Sequence, residues 1–494
     1  VRGLALGIAW GGLLVSSLLL SATPARAHAG FPEAKQILLP VDRPQQIILA
    51  TNFGLIFSED SGGTWLFSCE DALSAYAAPY LLGAAPLHRI FAMTAGAGLI
   101  YSDDDACGWQ AARGTLTDVL PYAFAVDPSS SQRVFVVGVA RAGARQGDHI
   151  YVSDDGGVSF GEPVFTSPER SAVLNVLVAP SQPRRLFAAM FSAPENHPIL
   201  LRSDDSGEHW NVAADLVESL GANPFELLAI DRLDENRLYA RILGETAETL
   251  ATSNDGGLSF VPSVAIPGKL SAFLQLASGT ILVGGTAGAE AVGYRSHDDG
   301  QSFEPWPEAP HVHALAERDG KLYVAADNFA DGYVIAESDD EGTHFRPLGE
   351  FNQVQGIKSC VADSCVESCS YYAGSGLWPA TVCGVLSTAP HVGDPSAAGA
   401  SAGAAPQAAA GANATGGTQD VREQAEPTTA TDGGGPGVGE TRRQPGLRTS
   451  GGGCACDLSF GRRTRQGAAL LVAGAVLVAR RKKRCASRDG RATD

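Results

Sequence analysis

The residues best suited to chemistry lie in seven acidic octapeptides. They read "SEDSGGTW" from Ser58, "SDDDACGW" from Ser102, "SDDGGVSF" from Ser153, "SDDSGEHW" from Ser203, "SNDGGLSF" from Ser253, "SHDDGQSF" from Ser296 and "SDDEGTHF" from Ser338. Clustered carboxylates beside hydroxyls suggest calcium ligation or paired acid–base groups. A calcium loop of the EF-hand type also needs a Glu at its twelfth position, and no octapeptide supplies one before the next strand begins. Calcium is therefore the weaker reading, and neither a metal nor a cofactor is expected. An active site is seldom built seven times in one chain, whereas a turn that ties off each repeat must be. No catalytic residue is assigned.

The repeated positions read as turn architecture. They are Ser58, Asp60, Gly62 and Trp65; Ser102, Asp104 and Trp109; Ser153, Asp155, Gly157 and Phe160; Ser203, Asp205, Gly207 and Trp210; Ser253, Asp255, Gly257 and Phe260; Ser296, Asp298, Gly300 and Phe303; Ser338, Asp340, Gly342 and Phe345. The third-position Asp and first-position Ser accept hydrogen bonds from backbone N–H groups of the turn. The fifth-position Gly supplies a positive φ without steric cost, and box two has Ala106 there. The eighth-position aromatic opens the next strand and packs between repeats.

The octapeptides recur at intervals of 42 to 51 residues. Between them lie short apolar runs such as "LNVLVAP", "FELLAID" and "KLYVAAD", bounded by Gly, Pro, Asn or Asp. That is strand grammar. Four strands per repeat at this period describe one blade of a β-propeller, and seven octapeptides describe seven blades. The expected fold is all-β, a seven-bladed β-propeller of four-stranded antiparallel blades over residues 30–350.

The flanks read differently. Residues 1–29 have the basic start, apolar run and small-residue exit of a secretory signal peptide, with cleavage after Ala27 or Ala29. In an exported chain, cysteines read first as disulfides. Cys69 and Cys107 are expected to pair and staple blades one and two. Cys360, Cys365, Cys369 and Cys383 lie in a Cys-rich segment, 351–385; four cysteines allow three pairings, and their spacing suits zinc poorly. Residues 386–453 are a disordered Ala/Gly/Pro/Thr stalk. Residues 454–494 carry a short apolar helix, 467–479, followed by "RRKKR", which the positive-inside rule places in the cytoplasm.

Two resemblances follow. The pattern S-x-D-x-G-x-[TS]-[WF] resembles the Asp-box, or bacterial neuraminidase repeat, of sialidases, other glycoside hydrolases, sortilin-type ectodomains and photosystem II assembly factors. It covers 58–345 and implies a propeller whose octapeptides are peripheral and structural. The far end, with Gly453, Cys454 and Cys456, the apolar stretch and the Arg/Lys cluster, resembles the MYXO-CTERM sorting signal of myxobacteria. That implies cleavage near Cys454 by a membrane protease, passage through the inner membrane and retention at the cell surface. A local Cys454–Cys456 disulfide is the alternative.

The net charge of −18 and pI near 5.0 argue against a nucleic-acid partner. A sialidase would need three inward arginines, a Tyr–Glu pair and an Asp acid, with an Arg-Ile-Pro element before the first octapeptide. Residues 31–57 have no such element, and "HRIF" at His88–Phe91 lacks the Pro. Arg43, Arg133, Arg202 and Arg241 are the conspicuous arginines, and arginines of this kind mostly open a second strand beside a turn, at a solvated edge. His311 and His313 could share a strand face but lack a third ligand. The expected function is an exported, surface-anchored binding or scaffolding module for a glycan, protein or envelope ligand. The alternatives are a divergent glycoside hydrolase and an assembly factor for a membrane complex.

Overall fold

The computed structural model describes residues 31–73, 77–94, 97–140 and 147–384. The expected signal peptide and stalk, the apolar stretch at 467–479 and Gly453, Cys454 and Cys456 lie outside these residues. Among the described residues no helix is long and apolar enough to cross a membrane.

The chain forms seven four-stranded antiparallel sheets in sequence order, the blades of a propeller. Blade one runs Ala34–Leu38, Ile47–Thr51, Gly54–Ser58 and Leu66–Cys69. Blade seven runs Val312–Arg318, Lys321–Ala326, Ile335–Ser338 and Arg346–Gly349. First strands of most successive blades lie together, including those of blades seven and one, and between blades two and three the first strand of blade three packs on the second and third strands of blade two, so the ring closes. The second strands are buried along most of their length, and Ile47–Thr51 at every position, because each blade is covered on both faces by its neighbours. Outer strands such as Asn211–Asp215 are mostly exposed.

Every first strand contains a register shift, for example between Val173 and Asn175, and between Leu227 and Ala229. A bulge frees backbone groups from the ladder. In five of the seven blades, the second and the fourth to seventh, a side chain of the preceding blade satisfies them. Gln36 of blade one both donates to the Tyr80 carbonyl (2.8 Å) and accepts from its N–H (2.7 Å). Asn175 of blade four does the same to Leu227 (2.6 and 3.3 Å). Tyr122 donates to the Val173 carbonyl at 2.8 Å, Arg241 donates to that of Leu270 at 3.0 Å, and Ser271 donates to that of Val312. The bulges are thus the points at which one blade grips the next.

Each blade is continuous in sequence, so among the described residues no terminal strand completes the last blade. Residues 351–384 close the ring instead. Gly356–Ile357 add to the outer strand of blade one in parallel. Arg113–Gly114, which follow blade two, pair in the same sense with Ser159–Phe160 of blade three. The exit from blade seven therefore repeats a link used between consecutive blades. Helix Ala362–Gly374 then turns Cys365, Cys369 and Tyr372 inward at helical spacing. Tyr372 and Trp378 join Phe53, Phe67 and Phe351 in one aromatic core.

The cysteine pairing differs from expectation. Cys69 bonds Cys365, Cys107 bonds Cys360, and Cys369 bonds Cys383. The expected Cys69–Cys107 staple is replaced by two bonds running from blades one and two to the closing segment. Only Cys369–Cys383 joins two members of the C-terminal group. Each of the two blade cysteines lies against this segment, which arrives there only after the chain has traversed all seven blades.

Candidate functional site

The octapeptides form one hydrogen-bonded unit, repeated seven times. The first-position Ser is buried in all seven. Its Oγ donates to the third-position Asp at 2.6–3.0 Å. The same Oγ accepts from the fifth-position N–H at 2.8–2.9 Å. The Asp also accepts from the seventh-position N–H at 2.8–3.0 Å. Its second oxygen takes the seventh side chain: Thr64, Ser159, His209, Ser259, Ser302 or His344. Burial pushes the Asp60 carboxyl up, but bonds from Thr64, Ser58 and Gly63 bring it down overall. Asp298 is held down at about 2, first by the Ser302 hydroxyl. These carboxylates are occupied as acceptors, which is how a turn uses them.

Asp205, Glu208 and His209 bring three ligand atoms within 4.8 Å of one another. Asp205 already serves its turn, with one oxygen on Ser203 and the other 2.7 Å from the His209 ring. The cluster is explained by the turn.

The eighth-position aromatics are wedges to different degrees. Trp65, Phe160 and Phe260 are buried. Trp65 donates from Nε1 to the Leu348 carbonyl of blade seven at 3.2 Å. Trp109, Trp210, Phe303 and Phe345 are half-buried.

A second repeated element escaped the sequence reading. Arg89-Ile90-Phe91, Arg133-Val134-Phe135, Arg185-Leu186-Phe187 and Arg237-Leu238-Tyr239 each open a second strand. Their arginines bridge blades rather than edge them with solvent. Arg89 pairs with Asp103 of its own octapeptide at 2.6 Å and donates to Gly156 O of the next at 2.5 Å. Arg133 holds Asp154 and the Ser206 carbonyl in the same way. Arg237 donates to Asn254 and pairs with Asp299. The aromatic two places on meets the next octapeptide's glycine in three of the four, Phe91 at Gly157, Phe135 at Gly207 and Tyr239 at Gly300, while Leu200 takes that place at Gly257. A Cβ on Gly157, whose φ is +83°, would lie 2.5 Å from Phe91. The signal was legible as R-[ILV]-[FY] at blade period.

The other expected residues disperse. Arg43 pairs with Asp105 at 2.7 Å, and Arg202 with Asp204 at 2.9 Å. Arg241 is not at a strand opening; it is buried mid-strand, 2.6 Å from Glu226 and 3.6 Å from Glu248. Lys269 lies 3.0 Å from Glu248. Two carboxylates, an arginine and a lysine thus neutralise one another between blades five and six. His311 and His313 point to different neighbours. His311 lies 3.0 Å from Asp331, whose hydrogen bond raises its pKa, while His313 lies 3.8 Å from Glu33 of blade one, with burial lowering its pKa.

Antiparallel order places octapeptides and first-to-second turns at one end of the ring. The strand starts and second-to-third turns lie at the other. At that second end, over the seam between blades seven and one, stand two exposed phenylalanines. Phe31 is 64% and Phe329 52% exposed, with ring centroids 4.4 Å apart. Both are held by their backbones. Asn52 donates to the Phe31 carbonyl at 2.8 Å, and Asp327 accepts from Phe329 N–H at 2.8 Å. Asp331 in turn ties Asp327 N–H and His311 N–H, each at 3.1 Å. Beside them Lys35 and Glu33 form an ion pair at 2.5 Å. The result is a fixed aromatic pair beside a small charged group.

No family model matches the chain, and no curated protein matches it. Among solved structures it is similar to an ancestral GH74 enzyme, at 14% identity and TM-score 0.40, over 55% of this chain and 38% of that one. It is similar to YCF48 from Cyanidioschyzon merolae, at 12% identity and TM-score 0.42, over 59% and 92%. It is also similar to PorZ of Porphyromonas gingivalis, at 13% identity and TM-score 0.42, over 64% and 38%. The chain thus spans well under half of the GH74 and PorZ chains. The seven-bladed all-β propeller is read from this chain's own sheets.

Proposed function

We propose that the chain is an exported, surface-anchored binding or scaffolding module whose ligand, a glycan, protein or envelope component, docks on the end opposite the octapeptides. The observation that carries this is the Phe31–Phe329 pair, exposed, in ring contact and fixed by side-chain-to-backbone bonds. Ordered aromatics exposed to solvent are the residues from which binding hot spots are built. Three disulfides in the described residues support export to an oxidising compartment. Mutual pairing of Arg241, Glu226, Glu248 and Lys269 supports a structural use of the most conspicuous ionisable group on the inner strands.

The test is a glycan array and a fluorogenic glycoside panel run on the full chain and on Phe329→Ala. Binding without turnover, weakened at least tenfold by Phe329→Ala at unchanged melting temperature, is the expected result. Turnover of any glycoside would favour the divergent hydrolase instead.

A further inference from the structure

The three disulfides are not equally accessible. Cys69 and Cys365 are both fully buried, while Cys369 is fully buried and its partner Cys383 half-buried. Cys360 is exposed and Cys107 half-buried. The most accessible bond is also the one attached to the octapeptide that departs furthest from the other six. Box two has Ala106 where the other six have glycine, and Gly108 where they have Thr, Ser or His. Ala106 holds φ at +66° and Asp105 at +55°, a left-handed pair without glycine. Asp104 receives the Ser102 hydroxyl and Gly108 N–H but has no seventh side chain to take its second oxygen.

The closing segment holds box two from outside. Lys358 is buried; its Nζ donates to the Asp105 carbonyl at 2.8 Å and lies 3.8 Å above the Phe57 ring. Two residues on, Cys360 bonds Cys107. The turn of blade two is thus braced by a disulfide and a cation from the closing segment, added to the Ser102–Asp104 bonds and the Arg43–Asp105 ion pair.

We propose that Cys107–Cys360 is a thiol-exchange site that works as a separate catch on box two, while Cys69–Cys365 holds the ring shut. The reacting partner is a dithiol reductant. Its thiolate attacks Cys360 Sγ, giving a mixed disulfide and releasing Cys107 as thiolate. Its second thiolate then displaces Cys360. One protein disulfide gains two electrons and two protons, and the dithiol becomes a cyclic disulfide. With the catch open, the under-bonded turn of 102–109 loosens, and the buried bond keeps blades seven and one together.

The experiment titrates dithiothreitol against the native full chain, with alkylation of free thiols read by peptide mass and hydrogen exchange read in parallel. Cys107 and Cys360 should alkylate at a reductant concentration at least tenfold below that for Cys69 and Cys365. Exchange should rise over 102–109 and 358–361 and stay unchanged in the strands of blades one and seven. A companion variant, Ala106→Gly with Gly108→Ser, restores the missing turn residues. It should alkylate at the same dithiothreitol concentration yet show no loosening of 102–109. Simultaneous reduction of the buried and exposed bonds would overturn the proposal. So would box-two exchange that rises equally in the restored variant, or does not rise when the catch opens.

Discussion

Removing the two bonds of the closing segment singly and together should give losses that do not add. Cys69–Cys365 spans 296 residues in sequence and Cys107–Cys360 spans 253. Closing either loop alone in the unfolded chain removes entropy worth about 5.5 kcal/mol at 25 °C on the chain-entropy relation. The bonds are nested, so with one intact the other closes only a short ring. That ring has about 43 residues, 38 from Cys69 to Cys107 and 5 from Cys360 to Cys365. The same relation gives about 4 kcal/mol for it. Cys69→Ala/Cys365→Ala and Cys107→Ala/Cys360→Ala should therefore each cost about 4 kcal/mol, and the four-site variant about 9.5. The excess over the sum, about 1.5 kcal/mol, is a coupling that a double-mutant cycle measures. Urea unfolding followed by tryptophan fluorescence suits the purpose, because Trp65 and Trp378 are buried beside the seam. Strict additivity, or single losses below about 1 kcal/mol, would refute the view that the segment acts by closing the ring in the unfolded chain.

Three further outcomes follow from the turns and the seam. Asp155→Ala should destabilise the fold by about 1–3 kcal/mol and leave ligand affinity of the folded protein unchanged, since Asp155 bonds only within its turn; thermal melts and binding titrations check this. Burial, with Asp71 beside it, pushes Glu70 up to about 7, so the folded state holds its proton more tightly than the unfolded state does. That stability is complete below the ordinary carboxyl value and is lost as pH rises to about 7, and Glu70→Gln should flatten the slope of urea midpoint against pH between about 4.5 and 7. Asp298 has the opposite sign: its contribution is present above the ordinary Asp value and is lost as pH falls to about 2, so Asp298→Asn should show less acid sensitivity there.

What the sequence reveals here is what is local. An octapeptide turn satisfies its own backbone, so Ser153, Asp155 and Gly157 must be spelled out within a few residues. The blade count follows from counting such turns. The blade-to-blade grips are not local. Gln36 serves Tyr80, and Asn175 serves Leu227, only because a bulge frees those backbone groups, and no periodicity marks a bulge. The cysteine pairing was illegible for the same reason: Cys69 meets Cys365 across 296 residues, and proximity in sequence favoured Cys107. The arginine bridges were legible but unread, since each Arg looks like a solvated strand opening until its second partner in the next blade is seen. Phe31 and Phe329 carry no pattern at all; ring closure alone brings them together.

The most direct test of the account is a side-by-side binding measurement, on a glycan array and on purified envelope polysaccharide, of the full chain, Asp60→Ala and Phe329→Ala, each with its melting temperature. The account predicts that Asp60→Ala melts lower and binds as before, whereas Phe329→Ala melts as before and binds at least tenfold more weakly. Binding lost in Asp60→Ala at unchanged melting temperature, and retained in Phe329→Ala, would contradict it.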